Sequence, residues 1–128
     1  MGAARAGVNQ NLEQVWFAGV HCNVGGGYED SGLSDLAFLW MQEKAAACGL
    51  AFDVEYLESR IHPNLLGVLR DSKAGFFDIT GTYLRPIGRG KNAQESVHLS
   101  VKERRDRITN PVYQPENLLE YLRDIGPR

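Results

Sequence analysis

Residues 14–28 read QVWFAGVHCNVGGGY, an apolar run that leads directly into three consecutive glycines. From Gln14 to His21 the apolar side chains occupy both faces instead of alternating. This pattern is typical of a strand buried on both sides, as in the parallel sheet of an α/β protein. Gly25–Gly27 would weaken a strand or a helix, because glycine loses the most backbone entropy on ordering. We therefore predict a buried strand over Gln14–His21 followed by a glycine loop.

An amphipathic helix is predicted after the glycine loop. Ser34 is a favourable N-cap, and Asp35 in the first turn complements the positive end of the helix dipole. Apolar residues recur at helical spacing through Trp40, and Gly49 is a suitable terminator. The sequence thus predicts a helix from Ser34 to Cys48 and a buried strand–glycine loop–helix order, which places the chain in the α/β class.

The rest of the chain is predicted to be mostly helical and irregular. Apolar spacing and end signals indicate three more helices: Asp53–Ile61, a helix opened by a Ser-x-x-Glu capping box at Ser100 and ending near Arg107, and a last helix from Pro115 to Ile125. Residues 62–95 have no decisive periodicity. Within them we note an apolar patch at 76–84 and predict an exposed loop at 88–94.

The composition is that of an ordinary globular domain, with 128 residues, 43% hydrophobic and 23% charged. A chain of this length can form one core, so we expect one domain after a loose lead-in at residues 1–13. No apolar run reaches the roughly 18 residues of a transmembrane helix, and the first residues do not resemble a secretory signal. Cys22 and Cys48 form neither a disulfide framework nor a Cys-x-x-Cys pair, which favours a cytoplasmic location.

Charge is distributed unevenly along the chain. Residues 1–64 have three basic and eight acidic side chains, a net charge of -5, whereas residues 65–128 have eleven basic and eight acidic ones, a net charge of +3. A nucleic-acid-binding surface needs clustered basic residues and usually a high pI. Here acidic residues interrupt the densest basic run, at 102–107, and the pI is about 5.9. We therefore expect no nucleic-acid partner.

His21 is the first candidate catalytic residue. It lies at the carboxyl end of the predicted strand, where α/β folds place ligands and catalytic groups. Histidine titrates near neutral pH and therefore suits general acid–base catalysis. The other interpretation is a structural histidine whose ring nitrogens are hydrogen-bonded within the core or a loop. His98 is a rival candidate, for which a polar surface role is the preferred interpretation, and His62 is predicted to be an exposed loop residue.

Other kinds of site find little support in the sequence. No His-x-x-x-His or His-Glu-x-x-His pair occurs, so we predict neither a metal site nor a cofactor. The three glycines match neither Gly-x-Gly-x-x-Gly nor a P-loop, so a tight turn is favoured over a phosphate cradle. None of the six serines lies in Gly-x-Ser-x-Gly, and Ser34 is better explained as a helix cap. The chain has a candidate base and no recognisable nucleophile.

The same residues resemble a known family. WFAGVHCNVGGGY at 16–28, GLSDLA at 32–37 and WM at 40–41 are similar to an uncharacterised α/β-hydrolase family related to type VI secretion phospholipase effectors. Segments at 85–88, 98–104 and 113–118 also resemble later parts of that family, so the similarity extends over about residues 14–122.

The resemblance implies a partial α/β-hydrolase-like unit and a lipase-like serine hydrolase that cleaves ester bonds. His21 matches the histidine of the motif and would accept the proton of a serine on a Gly-x-Ser-x-Gly elbow. Asn23 stands where many relatives have Asp. The residues that the resemblance assigns to the binding pocket are Asn23, Gly25, Gly26, Gly27 and Tyr28.

In that family the nucleophile elbow and the acid precede the histidine motif. Residues 14–128 are therefore expected to be the C-terminal part of such a domain, inactive alone and able to use a lipid or ester substrate only when a nucleophile-bearing segment completes it. Export without a signal peptide is the alternative to a cytoplasmic location. The second interpretation is a non-catalytic binding or assembly module in which His21 is structural. Because the edges of an isolated strand would be unpaired, we also predict a homo-oligomer.

Overall fold

The computed structural model describes residues 11–70, 83–89 and 94–125. Their elements are β1 (Gln14–Trp16), α1 (His21–Gly25), α2 (Gly32–Ala47), α3 (Val54–Arg60), β2 (Glu95–Val97), α4 (Leu99–Arg107) and α5 (Glu116–Asp124). Most of the predicted lead-in at 1–13 and of the apolar patch at 76–84 lies outside the described residues, as does the middle of the predicted loop at 88–94.

The two strands form a parallel pair in which Trp16 is opposite Val97. Hydrogen bonding continues beyond the strands, because the His98 N–H donates to the Trp16 carbonyl at 3.0 Å. Parallel strands need a long crossover connection, and α1, α2 and α3 lie within it. The described residues form a small mixed α/β unit with a parallel sheet, as the sequence predicted. The α/β-hydrolase-like unit stays a prediction.

The apolar core joins the sheet to the last two helices. Its buried members are Ala18, Ile87, Val97, Val101 and Leu118, and partly buried aromatic and aliphatic side chains pack around them. Elsewhere in the fold, α1 packs against α2. The chain after β1 leads through the turn at Gly19 into α1, and the chain after β2 leads directly into α4.

The strand predicted over Gln14–His21 is too long, and the structure corrects it. β1 ends at Trp16, and the chain turns at Gly19, whose φ of 116° lies in the region that favours glycine. A Cβ at Gly19 would also overlap the side chain of Asn23. His21 therefore begins helix α1 instead of ending a strand. A short apolar run does not distinguish a strand from the start of a buried helix.

Helix α2 confirms the predicted long helix but begins earlier. Its first residue is Gly32, and Ser34, the predicted N-cap, lies inside the first turn with its hydroxyl donating to the Ser31 carbonyl at 2.9 Å. A Cβ at Gly32 would lie 2.8 Å from the Cβ of Asn64, so the helix start is in close contact with a distant segment. Gly49 follows the helix with φ of 93°, as a terminator should.

Of the four shorter helices, α3, α4 and α5 were predicted, α4 with the wrong cap, whereas α1 was not predicted. Asp53 caps α3, accepting from the Tyr56 N–H at 2.9 Å. Helix α4 begins at Leu99 and is capped by His98 instead of Ser100. Within the described residues no helix combines the length and the apolar character needed to cross a bilayer.

Candidate active site

The carboxyl ends of β1 and β2 lie side by side because the strands are parallel. Open α/β sheets bind their ligands at this edge. Two histidines follow the strands there: His98 comes directly after β2, and His21 comes five residues after β1. The rival candidate, His98, therefore directly follows β2, whereas His21 begins helix α1 after the turn at Gly19.

His98 is packed and hydrogen-bonded, in contrast to the expected surface role. Its ring stacks on Phe17, with centroids 4.6 Å apart and an angle of 26° between the planes. Its Nδ1 accepts from the Ser100 N–H at 3.3 Å, which caps α4. Partial burial lowers the pKa of His98, and the charge of Glu103 opposes this shift. Because an imidazole that accepts at Nδ1 has its proton on Nε2, the neutral ring has no free acceptor in this conformation.

The hydroxyl of Ser100 lies 2.8 Å from Nδ1 of His98. A serine–histidine contact of this length would suit an activated nucleophile. Here, however, the two residues are two positions apart at a helix start, and Ser100 is 7% exposed, so an ester carbonyl has no route to its oxygen. We interpret the contact as part of the helix cap.

His21 is exposed and is the first residue of α1. Residues three and four positions apart on a helix share a face, so His21 lies on the same face as Val24 and Gly25. These two residues line a groove on the surface. His21 is thus exposed to solvent on the face of α1 that also carries two residues of the groove.

This groove, which we call the α2 groove, opens between β1, α1 and α2 with a volume of about 460 Å³. Most of its lining is apolar, and Phe38 and Met41 on its rim are 37% and 58% exposed. Its residues are Val15, Phe17, Val24, Gly25, Gly26, Ser34, Asp35, Ala37, Phe38, Trp40, Met41 and Ile61. An apolar lining with few polar groups suits a hydrocarbon chain.

Asp35 is the buried acid of the α2 groove. Its Oδ2 accepts from the Ser31 hydroxyl at 2.9 Å and from the His62 N–H at 2.8 Å. This carboxylate therefore ties the start of α2 to the chain after α3. His62 itself is exposed, as predicted.

Asn23, one of the predicted binding residues, is 2% exposed and does not line the α2 groove. Its Oδ1 accepts from the Val20 N–H at 3.3 Å, and its Nδ2 donates to the Val68 carbonyl at 3.0 Å. Both ends of the amide are therefore engaged in holding the start of α1 to residues 64–70. The structure gives Asn23 a supporting position beneath the helix that carries His21.

The other predicted binding residues divide into two groups. Gly25 and Gly26 line the α2 groove, whereas Gly27 and Tyr28 do not. Gly26 and Gly27 have φ of 86° and 112°, so the turn needs glycine for its backbone conformation. The Tyr28 ring instead lies 4.9 Å from the guanidinium of Arg70.

Asp30 was not singled out from the sequence, yet it organises residues 64–70. Its carboxylate accepts from the Val68 N–H at 2.9 Å and from the Gly32 N–H at 3.1 Å. These two hydrogen bonds lower the pKa of Asp30. Together with Asn23, Asp30 fixes the segment beside the glycine turn.

Arg104 of α4 holds the same segment from the opposite side. Its Nη1 donates to the carbonyls of Leu65 and Gly67 at 2.6 and 2.9 Å. Arg104 is buried against Tyr113, whose ring lies 5.2 Å from the guanidinium, and burial lowers the pKa of Arg104 and raises that of Tyr113. The sequence could not identify this role, because residues 64–70 show no pattern that requires a buried cation.

No group of three or more His, Cys, Asp or Glu side chains within residues 11–70, 83–89 and 94–125 is arranged to hold a metal ion.

Comparison with protein families gives one match. The model of the family described as "T6SS, Phospholipase effector Tle1-like, catalytic domain" matches residues 2–44. The match covers about a third of the chain, from before β1 through most of α2, and includes His21 and the glycine turn. It supports the partial resemblance inferred from the motif. Searches of the curated proteins and of the solved structures found no significant match.

Proposed function

We propose that this chain contributes the general base and an acyl-binding groove to a lipase-like serine hydrolase acting on phospholipid or related esters. The observation that carries the proposal is the position of His21. It is exposed as the first residue of α1, three and four positions before Val24 and Gly25 of the α2 groove, within the stretch that is similar to a phospholipase effector catalytic domain.

In the proposed reaction His21 accepts the proton of a serine hydroxyl as the serine oxygen attacks the ester carbonyl. The imidazolium then gives that proton to the departing alcohol when the ester C–O bond breaks, leaving an acyl-enzyme. Water, deprotonated by the same imidazole, releases the fatty acid and restores the serine. The α2 groove would hold the acyl chain during both steps.

His21 is favoured over His98 as the base because of the tautomer that His98 adopts. The Nδ1 of His98 is occupied by the N–H that caps α4. Its remaining nitrogen is a donor in the neutral ring, so His98 would have to abandon the cap to accept a serine proton. His21 is exposed, and its ring can reorient toward a hydroxyl on another segment.

The nucleophile is proposed to come from outside the 128 residues, since none of the six serines lies in Gly-x-Ser-x-Gly. The chain alone should therefore hydrolyse p-nitrophenyl butyrate and dioleoylphosphatidylcholine vesicles at the background rate. Coexpression with an upstream-encoded polypeptide containing Gly-x-Ser-x-Gly should restore hydrolysis. Loss of a catalytic histidine typically costs several orders of magnitude in kcat.

His21→Gln in the reconstituted pair tests the role of the base, and His62→Gln is the matched control because His62 is also exposed. We expect background hydrolysis from the first variant and unchanged hydrolysis from the second. Full activity in His21→Gln, or robust turnover by the isolated chain that survives this substitution, would refute the proposal.

A non-catalytic binding or assembly module is the second candidate function. It is favoured by the engagement of Asn23 in structural hydrogen bonds, where many relatives of the resembling family have Asp. In such a module the exposed apolar rim of the α2 groove would meet another polypeptide. Failure of every nucleophile-bearing segment to restore hydrolysis, with binding retained, would select this candidate.

The family name links the similar catalytic domain to type VI secretion. We propose that the chain is made in the cytoplasm and, if it acts as an effector, is exported without a signal peptide. Fractionation of cells with and without a functional secretion apparatus, with detection of the full chain in the medium, tests this route.

A further inference from the structure

Phe17 belongs to two grooves on the surface. It directly follows β1 and lines the α2 groove, whose volume is about 460 Å³. It also lines a second groove of about 260 Å³, which we call the core groove because it includes four residues of the buried core, Ile87, Val97, Val101 and Leu118. Among the residues that the structure describes, Phe17 is the one residue common to both grooves. Phe17 therefore lies at the boundary between them.

Two aromatic contacts hold the Phe17 ring at this boundary. The ring stacks on the imidazole of His98, with centroids 4.6 Å apart, and meets the Trp40 ring edge to face at 6.1 Å. Aromatic rings attract one another at these separations. Both partners are fixed by helices, since His98 caps α4 and Trp40 lies within α2. The side chain of Phe17 is therefore held in place from two elements of the fold.

The polar side chains of the α2 groove favour a hydrocarbon occupant. Asp35 is the one charged residue of its lining within the described part of the chain. Its Oδ2 already accepts from the Ser31 hydroxyl and the His62 N–H, and the Ser34 hydroxyl donates to the Ser31 carbonyl. The lining thus presents no cationic side chain to a phosphate or a free carboxylate. The acyl chain of an ester, with its head group outside the groove, suits such a surface.

We propose that Phe17 limits the length of the acyl chain that the α2 groove accepts, by separating this groove from the core groove. The inference rests on the proposed function, because it assigns a specificity-determining residue to the proposed acyl-binding groove. Each methylene that leaves water for an apolar groove increases affinity by up to about fourfold. Affinity should therefore rise with chain length until the chain meets Phe17 and should then stay constant.

Removal of the ring should lift this limit. In Phe17→Ala the two grooves would join, and a longer chain could continue into the core groove. Binding of monoacyl phosphatidylcholines from octanoyl to hexadecanoyl, each below its micelle concentration, tests this with the 128-residue chain alone. Tryptophan fluorescence reports the binding, because Trp40 lines the α2 groove. We expect the affinity of Phe17→Ala to keep rising beyond the wild-type limit, by at least tenfold over the next two methylenes.

The control variants separate the position of the ring from its loss. Phe17→Tyr keeps the ring and should keep the wild-type limit. Phe38→Ala removes the same kind of ring from a residue that lines the α2 groove but not the core groove. This variant should weaken binding of every chain by a similar factor and leave the limit unchanged. A limit that moves as far in Phe38→Ala as in Phe17→Ala would contradict the proposal.

The same titrations distinguish failure of this inference from failure of the proposed function. An unchanged limit in folded Phe17→Ala, or wild-type affinity that rises through the hexadecanoyl chain, would overturn the role of Phe17 and leave the α2 groove as an acyl site. Wild-type protein that binds none of the chains would overturn the acyl-binding groove as well. If circular dichroism shows that Phe17→Ala is unfolded, Phe17→Val provides the test, with a smaller shift expected and no shift contradicting the proposal.

Discussion

His98 shows how one hydrogen bond at a helix start decides the chemistry of a side chain. Because Nδ1 accepts from the Ser100 N–H, the folded state requires a deprotonated Nδ1, and partial burial lowers the pKa of His98. An unfolded histidine titrates near pH 6.5. Between the folded pKa and this value the unfolded chain binds more protons than the folded chain, so stability rises with pH.

We therefore expect the stabilisation from neutral His98 to be complete above about pH 6.5 and to be lost as the pH falls through the lower folded pKa. Urea unfolding between pH 7 and pH 5 should show a steeper loss of stability for the wild type than for His98→Asn. Asparagine keeps the cap but does not titrate. Identical slopes in the two proteins would contradict this assignment.

Arg104 supports a second prediction at the same scale. Replacement by Met would leave the carbonyls of Leu65 and Gly67 without their donor in a buried location. Hydrogen bonds to charged groups contribute about 1.5–3 kcal/mol each, with imperfect additivity. We expect Arg104→Met to lower the free energy of unfolding by about 2–4 kcal/mol and to increase amide exchange at residues 64–68.

The neighbouring Arg105 is the control for Arg104, because its side chain pairs only with the adjacent Asp106 among the described residues. Arg105→Met should change stability by less than about 0.5 kcal/mol in urea denaturation. Equal losses in the free energy of unfolding for the two variants would mean that the hydrogen bonds of Arg104 to Leu65 and Gly67 do not stabilise the fold.

At the scale of the elements, the turn at Gly25–Gly27 offers a matched pair of substitutions. Gly26 has φ of 86° and ψ of 176°, a conformation almost restricted to glycine, yet a Cβ there would meet no atom within 4 Å. Gly26→Ala should therefore cost about 1–3 kcal/mol through backbone strain alone. Gly25 ends α1 at an equally open position with an ordinary φ, so Gly25→Ala should be neutral or stabilising by up to about 1 kcal/mol.

Thermal unfolding of the two variants measures this difference directly. We expect Gly26→Ala to lower the midpoint by several degrees relative to Gly25→Ala. Equal midpoints would show that the turn accommodates a side chain and that its glycines are not needed for the backbone.

Helices were easier to predict than strands because their signals are local. The apolar spacing that predicted α2 and α3 lies within the helices themselves, and both formed close to the predicted places. β2 was not predicted, since its three residues form a strand only through pairing with residues about 80 positions earlier. The role of His98 as the cap of α4 was missed for a similar reason, because it directly follows β2, which was not predicted.

For the site, the sequence located His21 and the glycine turn but not their surroundings. Gly25 and Gly26 line the α2 groove, and the role in a binding pocket that the resemblance implies for them stays a prediction. Asn23, which the resemblance assigns to the binding pocket, is buried and hydrogen-bonded to Val20 and Val68. Such contacts join segments that are far apart in the chain, so no local sequence pattern predicts them.

At the scale of the whole molecule, few apolar side chains of the described residues are buried, and many large ones are exposed. Only seven hydrophobic residues in the described ranges are buried, while Phe38, Met41 and Leu50 are among the large apolar side chains left exposed. A two-stranded sheet is marginal without further packing. The described residues therefore have only a small core to stabilise a two-stranded sheet.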